Sequence, residues 1–430
     1  MKRREFIRTS GSVAAGAALR KRLHATEAPD HAAKKPNIIF ILAAELGIGG
    51  VGCYGADNFK TPNIDLLARG GTRYTHCYTA PLCGPSSALT LTGRYAFRTG
   101  ATSQDATGKM APSAEIMMPA CLKPAGYVTA SVGRWGQLPL GPAEFGFDEH
   151  LKLSGSGVYS NTGGTREYVP DLMHDFLVGF INRHRAHPFC VYYSMASLHS
   201  EILPTPDSKP DSRDLYADNI SYLDKLVGKL VAELDRLKLR DNTLIVFTGD
   251  NGTGGVYANE STIGGRRLAG EKGSMLEGGA LVPLIVNWPG HVPAGRVSAV
   301  LVDSTDFVPT FAELAGLQLP ETTVIDGHSF APQMLGRGGH PRDWVFIELG
   351  RDWYVRDAAW KLNRAGQLFD MSRAPFEEPL VAADTTNQVA VSARLSLQSA
   401  LDNLNPGGGI VDEGDGTGRH EGRVRHTKKK

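Results

Sequence analysis

The stretch NIIFILA, residues 37–43, is apolar at almost every position. A continuous apolar run of this length is typical of a strand buried on both faces of a parallel sheet. A second short run, Thr243 to Phe247, follows a segment from Leu215 to Leu237 whose apolar residues recur at helical spacing. Helix, loop, strand and polar loop form one repeat of an α/β protein. We therefore predict a large, mostly parallel mixed sheet flanked by helices.

Polar side chains follow both predicted strands. Ala44 and Glu45 come directly after the first, and Asp250 and Asn251 come soon after the second. Ligands of such sheets bind beyond the carboxyl ends of the strands. Asp250 and Asn251 offer only oxygen donors, which favours Ca²⁺ or Mg²⁺ over zinc. The alternative is an ordinary turn at a strand end, for which Asp-Asn-Gly is a common composition.

Cys83 lies in the run PLCGPSSALTLTGR, residues 81–94, after a predicted strand and at the start of a predicted helix. Backbone N–H groups at a helix N-terminus attract anions. A reactive side chain at this position would face the place where a sulfate or phosphate group binds. Cys83 is therefore the candidate nucleophile.

The composition restricts the remaining function classes. The 430 residues are 41% hydrophobic and 21% charged, which is enough to bury a large core. A net charge of +1 gives no reason to expect nucleic acid or an anionic membrane as partner, and no apolar run after the N-terminus approaches membrane-spanning length. The five cysteines lack paired metal-ligand spacing, so we expect no disulfide framework.

The two ends of the chain differ from the middle. Residues 2–6, KRREF, and the small apolar stretch from Gly11 to Leu19 resemble a twin-arginine export signal over residues 1–30. This predicts a periplasmic or secreted bacterial protein; the alternative is a basic N-terminus with a chance Arg-Arg pair. Residues 31–335 would form the α/β domain and residues 336–405 a small subdomain with an antiparallel sheet and a helix. The Gly-rich and Lys-rich residues 406–430 would be a solvated, disordered tail.

Several motifs together resemble the sulfatase family, in which the cysteine of Cys-x-Pro-Ser-Arg is oxidised to formylglycine. They occur in family order from about residue 35 to about residue 380: KPNIIFIL (35–42), TPNID (61–65), CGPSS (83–87), TGDNG (248–252), EGG (277–279) with VP (282–283), and WPG (288–290). The resemblance implies an alkaline-phosphatase-like fold. It also implies hydrolysis of a small aryl or carbohydrate sulfate ester by a formylglycine at position 83, made by the formylglycine-generating enzyme.

The resemblance assigns roles to further residues. Asp250 and Asn251, with Glu45 and the modified Cys83, would hold one Ca²⁺ or Mg²⁺ ion. His199 matches the histidine that faces the leaving group, and Lys272 matches the sulfate-binding lysine. Arg134 stands where the family has lysine, so the charge is kept while a compact ammonium becomes a planar guanidinium.

Three residues of the family pattern are lost outright. Ala44 replaces the first of two adjacent aspartates, and the second becomes the longer Glu45, a conservative departure. Ser87 replaces the arginine that the modifying enzyme reads, and Gly136 replaces a histidine that helps to release the sulfated intermediate. These changes affect metal charge, maturation of the nucleophile and proton transfer. We therefore expect impaired turnover, because members of a catalytic unit do not contribute additively.

Three functions compete on this sequence. The first is a sulfatase working through a formylglycine, and the second is an inactive homologue that binds a sulfated ligand or a partner. The third is a phosphate-ester enzyme, but the serine or threonine nucleophile and the histidine-rich two-metal set that it needs are missing at the matching positions. The Gly-, Ser- and Asn-rich loops Ser154 to Arg166 and Asn259 to Arg267 are expected to be irregular and to border the pocket, but their sequences reveal no substrate preference.

Overall fold

The structure is a computed structural model that describes residues 35–136, 138–153, 159–160, 167–199 and 201–414. The predicted export signal and residues 415–430 lie outside these ranges, as does most of the loop from Ser154 to Arg166.

The described residues contain sixteen strands. In chain order they are β1 (Asn37–Ala43), β2 (Thr72–Tyr78), β3 (Val128–Arg134), β4 (Glu149–Leu153), β5 (Tyr159–Ser160), β6 (Glu167–Tyr168), β7 (Phe189–Met195), β8 (Thr243–Gly249), β9 (Thr262–Ile263), β10 (Arg266–Arg267), β11 (Leu281–Asn287), β12 (Arg296–Asp303), β13 (Val345–Leu349), β14 (Asp352–Arg356), β15 (Trp360–Asn363) and β16 (Leu368–Asp370).

Eight of these strands form the central sheet in the order β12-β2-β11-β8-β1-β7-β3-β4. Strand β1 lies at its centre and pairs in parallel with β7 and β8, and β3 pairs in parallel with β7 and β4. Only β11 among them runs antiparallel to both neighbours, β2 and β8. The predicted large, mostly parallel mixed sheet is confirmed.

Helices cover both faces of this sheet. They are α1 (Pro62–Arg69), α2 (Cys83–Thr92), α3 (Ala96–Thr99), α4 (Gln104–Thr107), α5 (Met118–Leu122), α6 (Val169–His184), α7 (Leu215–Arg236), α8 (Glu277–Ala280), α9 (Phe307–Leu314), α10 (Ala331–Met334) and α11 (Gln388–Leu404). Ile39 and Ile41 of β1 pack into one core with α1, α6 and α7. Ile38, Phe40 and Leu42 pack into the other core with α2, α5 and α9. Burial on both faces explains why β1 has no polar alternation.

A smaller antiparallel sheet follows toward the C-terminus, in the order β13-β14-β15-β16. Helix α11 packs on it, and Phe346, Val355 and Leu362 share an apolar cluster with Leu89 of α2. The predicted small sheet is therefore present. From Lys35 onward the chain forms one compact unit, so the small sheet extends the main core rather than standing apart from it.

The structure differs from the predicted tail at residues 406–414. Pro406 and Asp412 are buried, the Ile410 N–H donates to the Phe97 carbonyl, and the hydroxyls of Thr102 and Ser103 donate to Asp412. A few specific hydrogen bonds thus order a segment that is too polar to form a core by itself.

The loop from Asn259 to Arg267 also differs from the irregular backbone expected there. It contains the two-stranded hairpin β9-β10, and Gly264 and Gly265 make its turn with φ of 58° and 72°. The Asp57 carboxylate accepts the N–H groups of both glycines. Such a Gly-Gly turn suits a tight hairpin because both residues need positive φ.

Candidate active site

Four neighbouring parallel strands deliver polar side chains to one edge of the central sheet. Glu45 follows β1, Arg134 ends β3, His199 follows β7 and Asp250 follows β8. Because the carboxyl ends of parallel strands meet at the same edge, residues far apart in sequence come together here. These four predicted site residues lie close together, as expected from the sequence.

Cys83 is the first residue of α2, a helix whose ten residues are all buried. The Gly84 N–H donates to Gln104 Oε1 over 3.0 Å, and Leu82 before the helix provides no side-chain cap. Pro85 has no N–H, and the Ser86 N–H donates to the Leu82 carbonyl over 3.0 Å, so the backbone donors of the first turn of α2 after Cys83 are bonded within the protein.

The thiol of Cys83 lies 3.1 Å from Asn251 Oδ1. Burial, with a smaller contribution from Asp250, raises the pKa of Cys83 to about 11, although Arg134 and Lys272 act in the opposite direction. The group is therefore a thiol at neutral pH, and a thiol is a much weaker nucleophile than a thiolate.

Glu45 occupies the centre of the site. Its backbone has a φ of 59°, and its N–H donates to Asp250 Oδ1 over 2.7 Å. Its carboxylate Oε1 lies 2.5 Å from Lys272 Nζ and 3.3 Å from His199 Nε2. Burial raises the pKa of Glu45, and Lys272 opposes that shift. One carboxylate oxygen thus contacts both a cation and the imidazole.

Lys272 reaches the site from a loop that is tied to its surroundings through the backbone. The Lys272 N–H donates to the Thr253 carbonyl over 3.0 Å, and the Gly273 N–H donates to the Pro81 carbonyl over 2.9 Å. These bonds connect the Lys272 loop to the segment after Asp250 and to the segment before Cys83. The ammonium position is therefore set by the same backbone that carries the other site residues.

The imidazole of His199 is neutral. Burial, together with the positive charges of Arg134 and Lys272, lowers the pKa of His199 to about 2. The 3.3 Å approach of its Nε2 to Glu45 Oε1 is therefore a contact of a neutral ring rather than an ion pair. A neutral imidazole can bind a proton, but with this pKa it holds one weakly.

Arg134 provides the second cation. A guanidinium nitrogen lies 3.9 Å from Asp250 Oδ2, and Cys83 and Asp250 both contribute to raising the pKa of Arg134. Arg134 and Lys272 together balance the carboxylates of Glu45 and Asp250. Any bound anion would find both cations beside the Cys83 side chain.

Two of the three departures from the family pattern lie next to each other. A Cβ atom added at Gly136 would lie 3.5 Å from the Ser87 hydroxyl, and Gly136 has a φ of 65°. The phenol of Tyr192, buried under the site, interacts with the same hydroxyl. From the sequence, Ser87 is assigned to maturation of the nucleophile and Gly136 to proton transfer, as two separate roles. In the structure, an arginine at position 87 and a histidine at position 136 would start from adjacent positions.

Sequence reasoning missed three residues that shape the site: Tyr192, Gln104 and Thr253. Thr253 accepts the Gly47 N–H and holds the turn after β1 against the turn after β8. Its place two residues after Asn251 could have drawn attention to it. Tyr192 and Gln104 lie in ordinary strand and helix contexts, so nothing in their local sequence marks them.

The oxygen donors fit a hard cation. Asp250 and Asn251 follow a single strand, Asn251 Oδ1 lies 3.1 Å from the Cys83 sulfur, and the Glu45 N–H donates to Asp250 Oδ1, so the three residues lie at neighbouring strand ends. Calcium prefers six to eight oxygens, and Ala44, which is buried next to Glu45, adds none. The residues suit one Ca²⁺ or Mg²⁺ ion whose shell is completed by water or by a ligand.

The fold and the site define an α/β protein in which two cations surround a buried cysteine at a helix N-terminus, an arrangement suited to a tetrahedral oxyanion. A family model described as Sulfatase matches residues 36–317. The chain belongs to the sulfatase family.

Known relatives agree with this assignment. N-acetylgalactosamine-6-sulfatase of Canis lupus familiaris is 34% identical over 351 residues, which cover 71% of this chain and 67% of the relative. Human arylsulfatase A is 32% identical, covering 73% of this chain and 71% of the relative. The matched region thus spans about two thirds of these proteins.

Solved structures share the fold. Ps i-CgsB in complex with k-i-k-neocarrahexaose superimposes with a TM-score of 0.75 at 28% identity, covering 86% of this chain and 93% of that one. BT4656 in complex with D-glucosamine-2-N,6-O-disulfate has a TM-score of 0.71 at 21% identity. No helix in the described part of the chain has the length and apolar character needed to cross a membrane.

Proposed function

We propose that this protein hydrolyses sulfate esters of carbohydrates through a formylglycine derived from Cys83, with one Ca²⁺ or Mg²⁺ ion, and that its turnover is slow. The observation that carries this proposal is the meeting of Cys83, Lys272, Arg134, His199 and the Asp250-Asn251 pair at one sheet edge. Carbohydrate is the favoured substrate class because Ps i-CgsB, the similar structure described above, is a complex with a saccharide.

The chain's own residues would divide the work as follows. Lys272 and Arg134 neutralise the sulfate oxygens, and His199 faces the leaving group. Asp250, Asn251 and Glu45 hold the cation. A hydrated formylglycine at position 83 would supply a nucleophilic oxygen, and a cation held by these residues would supply positive charge beside the sulfate.

Two features of the site support slow turnover. The low pKa of His199 leaves little imidazolium at neutral pH, so proton donation to a leaving group is weak. Lys272 is paired with Glu45, and a sulfate group has to compete with that carboxylate for the ammonium. The first effect follows from burial of the imidazole beside two cations, and the second from the carboxylate of Glu45.

Mass spectrometry combined with an activity assay tests the proposal. Protein made with and without the formylglycine-generating enzyme is digested with trypsin, and the peptide from Tyr74 to Arg94 is weighed, since the aldehyde form is lighter than the thiol. We expect partial conversion, and hydrolysis of a sulfated galactan oligosaccharide that scales with conversion and with added Ca²⁺. Full conversion without hydrolysis of either this oligosaccharide or a generic aryl sulfate would contradict the proposal.

A second candidate is an inactive homologue that binds a sulfated ligand. It is favoured by Ser87, which removes the arginine that guides modification of Cys83. In that case the thiol form should bind the sulfated oligosaccharide, and Lys272→Ala should weaken binding at least tenfold, with no product formed. Isothermal titration calorimetry measures binding of the oligosaccharide to the Lys272→Ala protein and to a control protein, Lys209→Ala. Because Lys209 is exposed, the control reports the effect of losing any one positive charge.

For location, we propose export through the twin-arginine signal at residues 1–30 to the periplasm or beyond. The apolar stretch and the Arg3-Arg4 pair support this. Fractionation of cells producing the full chain and an Arg3→Lys, Arg4→Lys variant tests it, and we expect the variant to stay in the cytoplasm.

A further inference from the structure

Three different ligand types meet in the site around the unmodified Cys83. The Cys83 sulfur, a ring nitrogen of His199 and a carboxylate oxygen of Glu45 all lie within 4.8 Å of one another. They come from helix α2 and from the loops after β7 and β1, which the two cores hold in place. Bonds of roughly 2.0–2.3 Å place the ligand atoms of a tetrahedral zinc ion about 3.3–3.7 Å apart, so side-chain movements of about 1 Å would bring these three atoms to ligand distance.

This donor set differs chemically from the oxygen set that suits calcium. A thiolate, an imidazole and a carboxylate are ligands of zinc, which binds sulfur and nitrogen in preference to the hard cations. The two sets share Glu45, whereas Asp250 and Asn251 contribute only oxygens. The state of Cys83 decides which set is complete, because conversion to formylglycine removes the sulfur.

The surroundings leave room for Glu45 to change partner. Its Oε1 contacts Lys272, while its Oε2 lies near the α-carbon of Gly254, where a Cβ atom would come within 3.2 Å of it. Glycine at position 254 therefore leaves the second oxygen free of a clashing side chain. One carboxylate oxygen can stay on the ammonium while the other binds an ion.

The charges of the neighbouring groups also allow a dication. The carboxylates of Glu45 and Asp250 contact the two cations Lys272 and Arg134, and a zinc-bound Cys83 sulfur would add a third negative charge. In the binding step a zinc–sulfur bond forms, the S–H bond breaks and the proton leaves to solvent. With three protein ligands, the fourth position stays open to water or to an anion beside Arg134 and Lys272.

We propose that the thiol form of this protein binds one Zn²⁺ ion through Cys83, His199 and Glu45, with an open fourth position. This site goes beyond the proposed sulfatase function, because it exists only in molecules in which Cys83 has not been converted. Zinc binding and formylglycine chemistry are therefore alternatives on a single chain.

Cobalt spectroscopy tests the site directly. Full-length protein is made in a host without formylglycine-generating activity, the thiol at position 83 is checked by mass, and Co²⁺ is added as a probe and then displaced with Zn²⁺. We expect one equivalent of Co²⁺ to give a thiolate-to-metal charge-transfer band and the visible bands of tetrahedral cobalt. Zn²⁺ should remove both.

Variants identify the ligands. Cys83→Ser should abolish the charge-transfer band, and His199→Ala should weaken Zn²⁺ binding at least tenfold. Cys121→Ser, at a half-buried thiol of α5 outside the site, should leave both unchanged. Thermal melts without metal confirm that each variant is folded.

A second measurement needs no variant. Zn²⁺ should protect Cys83 in the wild-type chain from alkylation, read on the Tyr74 to Arg94 peptide, which also contains Cys77 as an internal reference. Absence of a thiolate band, a band that persists in Cys83→Ser, or equal alkylation with and without Zn²⁺ would each overturn the proposal. Sulfatase activity is measured on converted protein with Ca²⁺, so either idea can fail without the other.

Discussion

Glu45 lies between Asp250 on one side of the site and Lys272 and His199 on the other. Its backbone is fixed to Asp250, and its carboxylate contacts Lys272 and His199. A glutamate with a φ of 59° is uncommon because a Cβ atom is crowded there. Glu45 thus connects Asp250 to Lys272 and His199.

Ala44→Asp should strengthen cation binding. It adds a carboxylate next to Glu45, and calcium affinity rises with the number of charged ligands. We expect Ca²⁺ to bind roughly tenfold more tightly in calorimetric titrations, about 1.4 kcal/mol. Ala44→Asn, which is similar in size but uncharged, is the control and should gain much less. Equal affinity of the wild type and Ala44→Asp would show that position 44 does not face the ion.

The two substitutions that restore the family residues at positions 87 and 136 should not have additive effects on the free energy of unfolding. Ser87→Arg and Gly136→His would fill one space, since the Gly136 Cβ direction leads to the Ser87 hydroxyl. We expect a coupling free energy of unfolding of about 1 kcal/mol in a double-mutant cycle measured by denaturant unfolding.

The control for this cycle is Gly136→Ala. This variant has the backbone strain of a positive φ, about 1 kcal/mol, but it lacks the imidazole that would contact an arginine at position 87. Its coupling with Ser87→Arg should therefore be almost zero. Additive effects of the arginine and histidine would contradict the shared space.

At the scale of elements, the turn after β8 approaches the backbone of α8 very closely. The Gly252 N–H donates to the Gly279 carbonyl, and a Cβ atom at Gly252 would lie 1.8 Å from the Gly278 carbonyl oxygen. The turn after β8, which carries Asp250 and Asn251, therefore packs directly against the backbone of α8. Only glycine allows this distance.

Gly252→Ala should accordingly destabilise the protein and the site together. We expect a loss of at least about 3 kcal/mol in the free energy of unfolding, because backbone has to move rather than a flexible side chain. Gly338→Ala, which has no atoms within 4 Å of the new Cβ, should stay within about 0.5 kcal/mol of the wild type. Chemical denaturation measures both, and similar stabilities of the two variants would refute the argument.

At the scale of the whole molecule, a buried ion pair joins the small sheet to the main one. Arg356 Nη1 of β14 contacts Glu277 of α8 at 2.6 Å and also donates to the Tyr78 hydroxyl of β2 at 2.6 Å. Arg356 and Glu277 are each 1% exposed at the side chain. The pair joins the small sheet to α8, which follows the Lys272 loop in the chain.

Arg356→Met should cost about 3–5 kcal/mol in the free energy of unfolding, because Glu277 would remain buried without its partner. Arg373→Met, which breaks an exposed pair with Glu377, should cost less than about 1 kcal/mol. Adding Glu277→Gln to Arg356→Met should recover part of the loss. Thermal and denaturant unfolding measure these stabilities. If Arg356→Met leaves the free energy of unfolding unchanged, the ion pair does not stabilise the fold.

Glu348 makes the stability of the C-terminal segment depend on pH. Burial, with a further contribution from Asp412, raises the pKa of Glu348 to about 8 from an ordinary value of 4.5. Its contribution to stability is therefore complete below pH 4.5 and is lost as the pH rises through 8, since the unfolded chain releases the proton first. The carboxyl accepts the Phe97 N–H, close to the segment from Ile410 to Asp412.

Glu348→Gln should remove this dependence. The melting temperature of the variant relative to the wild type should rise steadily between pH 5 and pH 9, whereas the exposed Glu321→Gln should give a flat difference. Scanning calorimetry over that range is the measurement, and a flat difference for Glu348→Gln as well would contradict the raised pKa.

Local patterns predicted the elements that carry the site. The apolar run of β1, the helical spacing of α7 and the Asp-Asn pair after β8 were readable because each depends on neighbours in sequence. The motifs around Cys83 and Lys272 pointed to the sulfatase family for the same reason. The hairpin at Asn259 to Arg267 and the ordered residues 406–414 were missed, because their bonds to Asp57, Phe97 and Ser103 cross long stretches of chain.

The sequence by itself determined the family, the order of strands and helices along the chain and the identity of the side chains at the strand ends. Only the tertiary structure decided how these side chains meet: that Glu45 contacts Lys272 and His199, and that Ser87 lies beside Gly136. These distances are set by two cores packing against one sheet. No pattern of adjacent residues encodes them.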